Sequence, residues 1–87
     1  VALICARSGL ASRHGITMAN GVGVIDSDYR GELRVALFNE SDTDYVIHDG
    51  DRIAQLMVLP VIQPQLTFVD ELDETERGAG GFGSTGR

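Results

Sequence analysis

Three consecutive residues near the start of the chain combine groups that bind phosphate. Residues 7–9 read Arg-Ser-Gly and follow directly on the apolar run of residues 1–6. A guanidinium, a hydroxyl and an unhindered backbone N–H in succession offer three kinds of contact to a phosphate group. An ordinary Ser-Gly turn at the end of a strand has the same composition, so the triplet alone leaves both interpretations open.

A second stretch, residues 20–34, places a carboxylate beside a predicted chain reversal. Its valines and isoleucine favour extended backbone, and the pair Ser27-Asp28 is typical of a turn because both side chains hydrogen-bond their own backbone. The pattern predicts a β-hairpin that returns into residues 33–38. Asp26 would lie at the mouth of that hairpin.

The same stretch contains three glycines, Gly21, Gly23 and Gly31. Glycine weakens a strand, so its repeated use indicates that another group approaches the backbone closely. We predict that a planar ligand lies against this hairpin.

The elements that must position these residues are short and mostly extended. A helical turn is expected over residues 10–14 with Gly15 as its stop, and Asp49-Gly50 is a tight-turn signal. Short runs at this spacing, without a long amphipathic helix, predict an all-β barrel or sandwich. Strands are predicted at residues 1–6, 16–19, 33–38, 45–48, 52–60 and 65–69.

Two polar side chains interrupt the apolar run of residues 52–60. Arg52 and Gln55 are three positions apart, so on a continuous strand they would point to opposite faces and serve different purposes. Arg13 and His14 show no spacing typical of a metal site, and the pattern assigns them no chemical role.

The last eleven residues, 77–87, differ in composition from the rest and predict a mobile arm. They contain five glycines and cannot form a core. One interpretation is a disordered glycine-rich tail. The other is an arm that docks, with Phe82 stacking on a base while the arginines and hydroxyls bind phosphate.

Composition limits the possible partners. The chain has 87 residues and a formal net charge of −6, which argues against nonspecific binding to nucleic acid or to an anionic membrane. No apolar run approaches the length of about 20 residues that spans a bilayer. The single cysteine, Cys5, is expected to be a reduced thiol in a cytoplasmic protein.

Taken together, these segments resemble the trimeric deoxyuridine triphosphate nucleotidohydrolases, the dUTPase family. Four of the five sequence blocks of that family occur in the family's order. They are Arg-Ser-Gly-Leu-Ala at residues 7–11, the hairpin at residues 20–32, Gly-Asp-Arg-Ile-Ala-Gln-Leu at residues 50–56 and the glycine-rich arm at residues 77–86.

The chain departs from the family pattern in two respects. The first block, which supplies the carboxylate nearest the magnesium ion, is not in this sequence, so we expect it upstream of Val1. Ala6 stands where the family usually has proline. The resemblance implies a distorted jelly-roll β-barrel over residues 1–76, incomplete at its N-terminus, and a flexible glycine-rich C-terminal arm over residues 77–87 that closes the active site.

The resemblance implies an enzyme of nucleotide metabolism that hydrolyses dUTP to dUMP and pyrophosphate with the help of Mg²⁺. It further implies a homotrimer whose active sites lie between subunits. Two alternatives remain open: a deoxyuridine-nucleotide-binding fragment or regulator without turnover, and a relative of the dCTP deaminases. Tyr29 and the arm fit the hydrolase better than the deaminase.

The resemblance also assigns roles within the hairpin. Asp26 would be the catalytic base that deprotonates the water attacking the α-phosphorus. Asn20 would bind the uracil edge together with backbone groups near Val24 and Ile25. Tyr29 would lie under the sugar and block a ribose 2′-hydroxyl.

For the phosphates, the resemblance implies contacts from Arg7, Ser8 and Gly9. Gln55 would reach the α-phosphate or a neighbouring subunit, and the backbone around Arg34 would add a ligand contact.

From the arm, Phe82 would stack on the uracil. The residues that would close on the γ-phosphate and complete the substrate-binding set are Arg77, Gly83, Ser84 and Thr85.

Overall fold

The apolar runs form short antiparallel strands in the computed structural model, which describes residues 1–84 and 86. The predicted site residue Thr85 lies outside the described residues. The elements in chain order are β1 (Ala2–Cys5), α1 (Ser8–His14), β2 (Ile16–Met18), β3 (Gly23–Ile25), β4 (Leu37–Asn39) and β5 (Gln55–Val58).

β1 is the central strand of a three-stranded sheet with the order β3-β1-β5. Leu3 is opposite Val24 on one side and Met57 on the other, and both pairings are antiparallel. A strand with neighbours on both sides satisfies its backbone groups in two ladders, which suits the uninterrupted apolar sequence of β1. The strand predicted at residues 1–6 is therefore confirmed.

α1 ends where its sequence predicts. Gly15 adopts the left-handed conformation with φ 69°, and its N–H donates to the carbonyls of Leu10 and Ala11. Glycine is favoured at this position because it has no Cβ to clash in that conformation. The helix also begins two residues earlier than expected, at Ser8.

A second sheet pairs β2 with β4, with Ile16 opposite Asn39 and Met18 opposite Leu37. The extended segment predicted at residues 16–19 is confirmed over Ile16–Met18. Ile16 and Met18 are buried, as is Ile4 of β1. These side chains form the small core behind the site.

The predicted hairpin of residues 20–34 is wrong as a paired ladder. β3 pairs with β1, and β4 pairs with β2, so the two legs do not pair with each other. The turn itself forms at Ser27-Asp28, where the Tyr29 N–H donates to the Asp26 carbonyl at 3.1 Å. The first leg of the predicted hairpin, β3, pairs with the apolar strand β1 instead, with Ile25 opposite Ala2 and Gly23 opposite Ile4.

Two other predicted strands, residues 45–48 and 65–69, are wrong within the described chain, and the strand predicted at residues 52–60 is limited to β5. An apolar segment becomes a strand only when its backbone pairs with a neighbour, and neither described segment pairs with a strand of the two sheets. All four residues of β5 are exposed, and β5 is an edge strand of its sheet.

The described chain is far more extended than a globular domain of its size. Its radius of gyration is 19.1 Å, whereas a compact chain of this length has about 12 Å. Its accessible surface is 8036 Å², against about 5,000 Å² for a folded monomer of this mass. The all-β class is confirmed, but the sheets do not close into a barrel within residues 1–84 and 86.

In the part of the chain that the structure describes, no helix has the length and apolar character needed to cross a membrane.

Candidate active site

The end of β1, the start of α1 and the start of β5 enclose a polar cleft of about 540 Å³, which we call the arginine cleft. β1 ends at Cys5, so Arg7 and the first turn of α1 follow beyond the end of this central strand. The tight turn at Asp49-Gly50 directs the next polar residues to the same place. The lining residues are Arg7, Ser8, Gly9, Leu10, Arg13, His14, Tyr45, Gly50, Asp51, Arg52 and Gln55.

Gln55 ties two walls of the arginine cleft together. Its Nε2 donates to the carbonyl of Ala6 at 2.8 Å, because the register places Gln55 opposite Cys5. Arg52 precedes β5, so the alternation of strand faces does not apply to it. The expectation that Arg52 and Gln55 serve opposite faces is therefore wrong, since both line this cleft.

The arginine cleft carries an excess of positive charge within an acidic chain. Three guanidinium groups, Arg7, Arg13 and Arg52, line it with a single carboxylate, Asp51. Within residues 1–84 and 86, none of these three arginines forms a salt bridge or donates a side-chain hydrogen bond; the one ion pair joins Arg34 to Glu32. The cleft can therefore offer three guanidinium forks to an anion.

β3 and the turn after it form a smaller cleft of about 250 Å³, which we call the Asp26 cleft. It brings together the hairpin residues that the sequence predicted for the site. The lining residues are Ile4, Asn20, Gly23, Val24, Ile25, Asp26, Tyr29, Glu32, Leu33 and Arg34.

Tyr29 is held in the Asp26 cleft by its hydroxyl, which donates to the carbonyl of Glu32 at 2.7 Å. The ring lies against Gly31, where a Cβ would clash with the ring and hydroxyl of Tyr29. Gly21 has φ 73°, and a Cβ at Gly23 would lie 3.4 Å from Cβ of Ile4. Turn geometry thus accounts for Gly21 and the Tyr29 ring accounts for Gly31, whereas a Cβ at Gly23 would make only an ordinary contact.

Asp26 also belongs to the wall of a third cleft, of about 660 Å³, which it shares with Ser27 and Asp28. Both carboxylates are exposed, and neither forms a salt bridge with another described residue. Across residues 1–84 and 86, no three histidine, cysteine, aspartate or glutamate side chains lie together as a metal-ligand group.

A shallow apolar depression of about 400 Å³ shares lining residues with both main clefts. It shares Ile4 and Leu33 with the Asp26 cleft. With the arginine cleft it shares Arg7, Asp51, Arg52 and Gln55. The two predicted groups of site residues are therefore neighbours around β1, but they do not form one cavity in this chain.

The described part of the arm, residues 77–84 and 86, folds into turns and lines neither main cleft. Arg77 donates from Nε to the carbonyl of Gly80, and the Ser84 N–H donates to the carbonyl of Gly81. Phe82 is fully exposed. The structure does not bring Arg77, Phe82, Gly83 or Ser84 to the other predicted site residues.

The arginine cleft also contains three residues to which the sequence assigned no role, Arg13, His14 and Tyr45. The rings of His14 and Tyr45 lie against each other, with centroids 4.7 Å apart and planes tilted by 42°. One signal was available in the sequence: Arg13 follows Gly9 by four residues, so a helix places both on one face.

Fold and site define a class of protein: an all-β chain with an arginine-lined anion cleft beside a carboxylate-bearing cleft, as suits a nucleotide phosphate ligand. A family model described as dUTPase matches residues 1–86. The chain belongs to the dUTPase family.

Several curated relatives are similar to the chain over nearly its whole length. The deoxyuridine 5′-triphosphate nucleotidohydrolase of Desulfitobacterium hafniense (strain DSM 10664 / DCB-2) is 60% identical over 85 residues, which are 98% of this chain and 56% of the relative. Proteins of the same name from Gamma-proteobacterium EBAC31A08 and Idiomarina loihiensis are 58% and 56% identical, over 98% and 99% of this chain and 61% and 57% of the relatives. The chain thus spans little more than half the length of the relatives it matches.

Proposed function

We propose that the intact protein hydrolyses dUTP to dUMP and pyrophosphate, with Asp26 as the base that activates water. The observation that carries the proposal is the composition of the Asp26 cleft. Its carboxylate shares one small cleft with Asn20, Val24, Ile25 and Tyr29, the residues that the family resemblance assigns to uracil and deoxyribose.

Base selection would rest on hydrogen bonding to the residues that line this cleft. The Asn20 amide and the backbone groups of Val24 and Ile25 can match the donors and acceptors of uracil. Cytosine presents a different pattern and would leave at least one of these groups unpaired. Each unpaired buried group costs about 1–3 kcal/mol, so a few contacts suffice for selection.

Sugar selection rests on Tyr29. Its hydroxyl donates to the Glu32 carbonyl and its half-exposed ring lies against Gly31, so this hydrogen bond orients the ring in the cleft wall. A rigid ring under the deoxyribose leaves no room for a 2′-hydroxyl. The cleft would therefore exclude UTP by steric conflict.

The chemical step needs one carboxylate and one water molecule. Asp26 accepts a proton from the water, whose oxygen attacks the α-phosphorus. The bond from the α-phosphorus to the bridging oxygen breaks, and that oxygen leaves with pyrophosphate. Because Asp26 is exposed and forms no ion pair with a described residue, its carboxylate is free to accept the proton.

The phosphates would be bound by Arg7, Ser8, Gly9 and Gln55, which line the arginine cleft. Gln55 uses one Nε2 hydrogen on the Ala6 carbonyl, so the other remains for a phosphate oxygen. The backbone near Arg34 lines the Asp26 cleft and would contact the nucleotide there.

The arm, residues 77–87, would close over the bound nucleotide as a unit separate from residues 1–76. Phe82 would cover the uracil, while Arg77, Gly83, Ser84 and Thr85 would enclose the γ-phosphate. The full exposure of Phe82 supports this role, because an exposed aromatic ring among glycines gains free energy by docking on a base. Closure would exclude bulk water from the reacting phosphate.

A magnesium ion would be held mainly by the substrate phosphates, because magnesium takes only one or two carboxylates in such sites and no three histidine, cysteine, aspartate or glutamate side chains lie together within residues 1–84 and 86. When bound, Mg²⁺ would neutralise charge on the triphosphate and stabilise the leaving pyrophosphate. The family resemblance places a further carboxylate upstream of Val1.

We further propose a homotrimer with active sites between subunits, working in the cytoplasm. Two observations support the assembly: the arginine cleft and the Asp26 cleft are separate within one chain, and the chain exposes about 3,000 Å² more surface than a compact monomer. A sedimentation mass of three chains is expected for the intact protein. A monomer that retains full activity would exclude shared sites.

The function is tested by pyrophosphate release from dUTP with the intact protein. Asp26→Asn should reduce kcat by about 10²–10⁴-fold, because it removes the base and leaves binding intact. Asp28→Asn is the matched control, since it lies in the same turn and changes charge equally; it should retain most of the activity. Full turnover by Asp26→Asn would overturn the role of Asp26, and ammonia release from dCTP would replace the hydrolase by a deaminase.

A further inference from the structure

Arg13 lines the arginine cleft, yet the binding of the substrate described above does not use it. It lies in the last turn of α1, while Ser8 and Gly9 lie in the first turn. Within the described chain, its guanidinium has no carboxylate partner and donates no hydrogen bond. A charged side chain in a cleft without a partner from its own protein is available to a ligand.

Arg13 lies on the face of α1 that is turned to the arginine cleft. Gly9 and Arg13 are separated by four residues, so they share one face of α1, about 6 Å apart along its axis. Leu10 and His14, the adjacent pair with the same spacing, line the cleft too. The face of α1 turned to the cleft thus begins at the phosphate-binding triplet and ends at Arg13.

Gly9 leaves open space on the face of α1 that it shares with Arg13. A Cβ at Gly9 would meet no atom within 4 Å, and the residue is not among the glycines with positive φ. Neither packing nor backbone conformation therefore requires glycine here, although glycine in a helix is unfavourable relative to alanine. The missing side chain leaves room for a ligand along this face of the helix.

The charge and the far wall of the cleft indicate the kind of ligand. Three guanidinium groups face one carboxylate, Asp51, in a chain of net charge −6. That carboxylate is already engaged, because its Oδ2 accepts a hydrogen bond of 2.8 Å from the His48 N–H. The tilted, contacting rings of His14 and Tyr45 line the same cleft. An elongated anion with several oxygens fits this arrangement.

We propose that Arg13 binds the diphosphate end of the nucleotide, and hence the pyrophosphate product, at the far end of the arginine cleft. The proposal rests on the proposed function for the identity of the nucleotide. Arg7, Ser8 and Gly9 hold the phosphate nearest the nucleoside, and Arg13 holds the end that leaves. Its guanidinium binds two phosphate oxygens through parallel N–H donors.

The test is calorimetric titration of the intact protein with inorganic pyrophosphate, and separately with dUMP, without turnover. Arg13→Gln should weaken pyrophosphate binding about five- to tenfold, because it removes a charged two-point contact in a solvent-open cleft. The same variant should leave dUMP affinity unchanged. Arg30→Gln is the charge-matched control: Arg30 bonds the carbonyls of Ser27 and Tyr29 outside this cleft, so its variant should bind pyrophosphate as the unmodified protein does.

A second variant separates a binding role from a folding role. Gly9→Ala should bind pyrophosphate more weakly because the new methyl group enters the space beside Arg13. Its melting temperature should equal or exceed that of the unmodified protein, because alanine suits the helix better.

The outcomes are distinct from those of the activity test. Equal pyrophosphate affinity in Arg13→Gln and Arg30→Gln, or an equal loss of dUMP affinity in Arg13→Gln, would overturn the proposal while leaving dUTP hydrolysis intact. Pyrophosphate binding that depends on Arg13 in a protein unable to hydrolyse dUTP would support the anion site and reject the proposed function.

Discussion

Tyr29 and Gly31 act as one unit at the scale of single residues. The ring of Tyr29 occupies the space that a side chain at position 31 would need, and its hydroxyl is fixed on the Glu32 carbonyl. The sequence predicted that Gly31 admits a ligand, but the group it admits belongs to the same chain. A glycine pattern cannot distinguish the two cases, because both require only bare backbone.

Gly31→Ala should therefore change sugar selection without touching the nucleotide. The added methyl group would push Tyr29 out of the Asp26 cleft and open room for a 2′-hydroxyl. The ratio of kcat/KM for dUTP to that for UTP should fall about tenfold or more in the intact protein, measured by pyrophosphate release.

Tyr29→Phe is the control for this prediction, since it keeps the ring and loses only the bond to Glu32. It should retain most of the preference for dUTP. An unchanged preference in Gly31→Ala would mean that Tyr29 does not select the sugar.

Among the secondary-structure elements, those that depend on neighbouring residues could be predicted from the sequence, and those that depend on distant segments could not. α1 and its end at Gly15 could be predicted because the stop signal is local. The strands predicted at residues 45–48 and 65–69 could not be judged from their own sequence, because a strand depends on a free edge elsewhere in the chain. The pairing of β3 with β1 was missed for the same reason.

Two glycine substitutions in and beside α1 should have opposite effects on stability. Gly15→Ala forces a Cβ into left-handed backbone, 3.1 Å from the Ser41 nitrogen, and should lower the free energy of unfolding by about 1–2 kcal/mol. Gly9→Ala has open space and should raise it by about 0.5–1 kcal/mol. Denaturant unfolding of the intact protein measures both changes.

If both substitutions destabilised the protein equally, Gly9 would have a structural requirement that its surroundings in this chain do not show. Its assignment to an open ligand space would then lose its support.

At the scale of the whole molecule, contacts between distant segments determine the site, so the sequence could predict it only in part. The motif residues were assigned by their resemblance to a family, and the structure gathers those that precede the arm into two clefts around β1. The arrangement of those clefts, and the presence of Arg13 in one of them, depend on pairings between distant segments such as Gln55 and Ala6. Local sequence patterns do not encode such pairings.

The extended shape of the described chain leaves apolar side chains exposed to solvent. Exposed apolar side chains continue from β5 through Ile62, Leu66 and Phe68, so this surface needs a cover. The partner subunits of the proposed trimer would supply such a cover, so activity is to be measured on the assembled protein.

The most direct test of the account follows the oxygen atom of the attacking water. Hydrolysis of dUTP by the intact protein in water enriched in heavy oxygen should place the label in dUMP, because in the proposed mechanism the water activated by Asp26 attacks the α-phosphorus. Asp28→Asn should give the same product at a similar rate, and Asp26→Asn should give little product. Label in pyrophosphate, or dUMP formation that is unaffected by Asp26→Asn, would contradict the central claim.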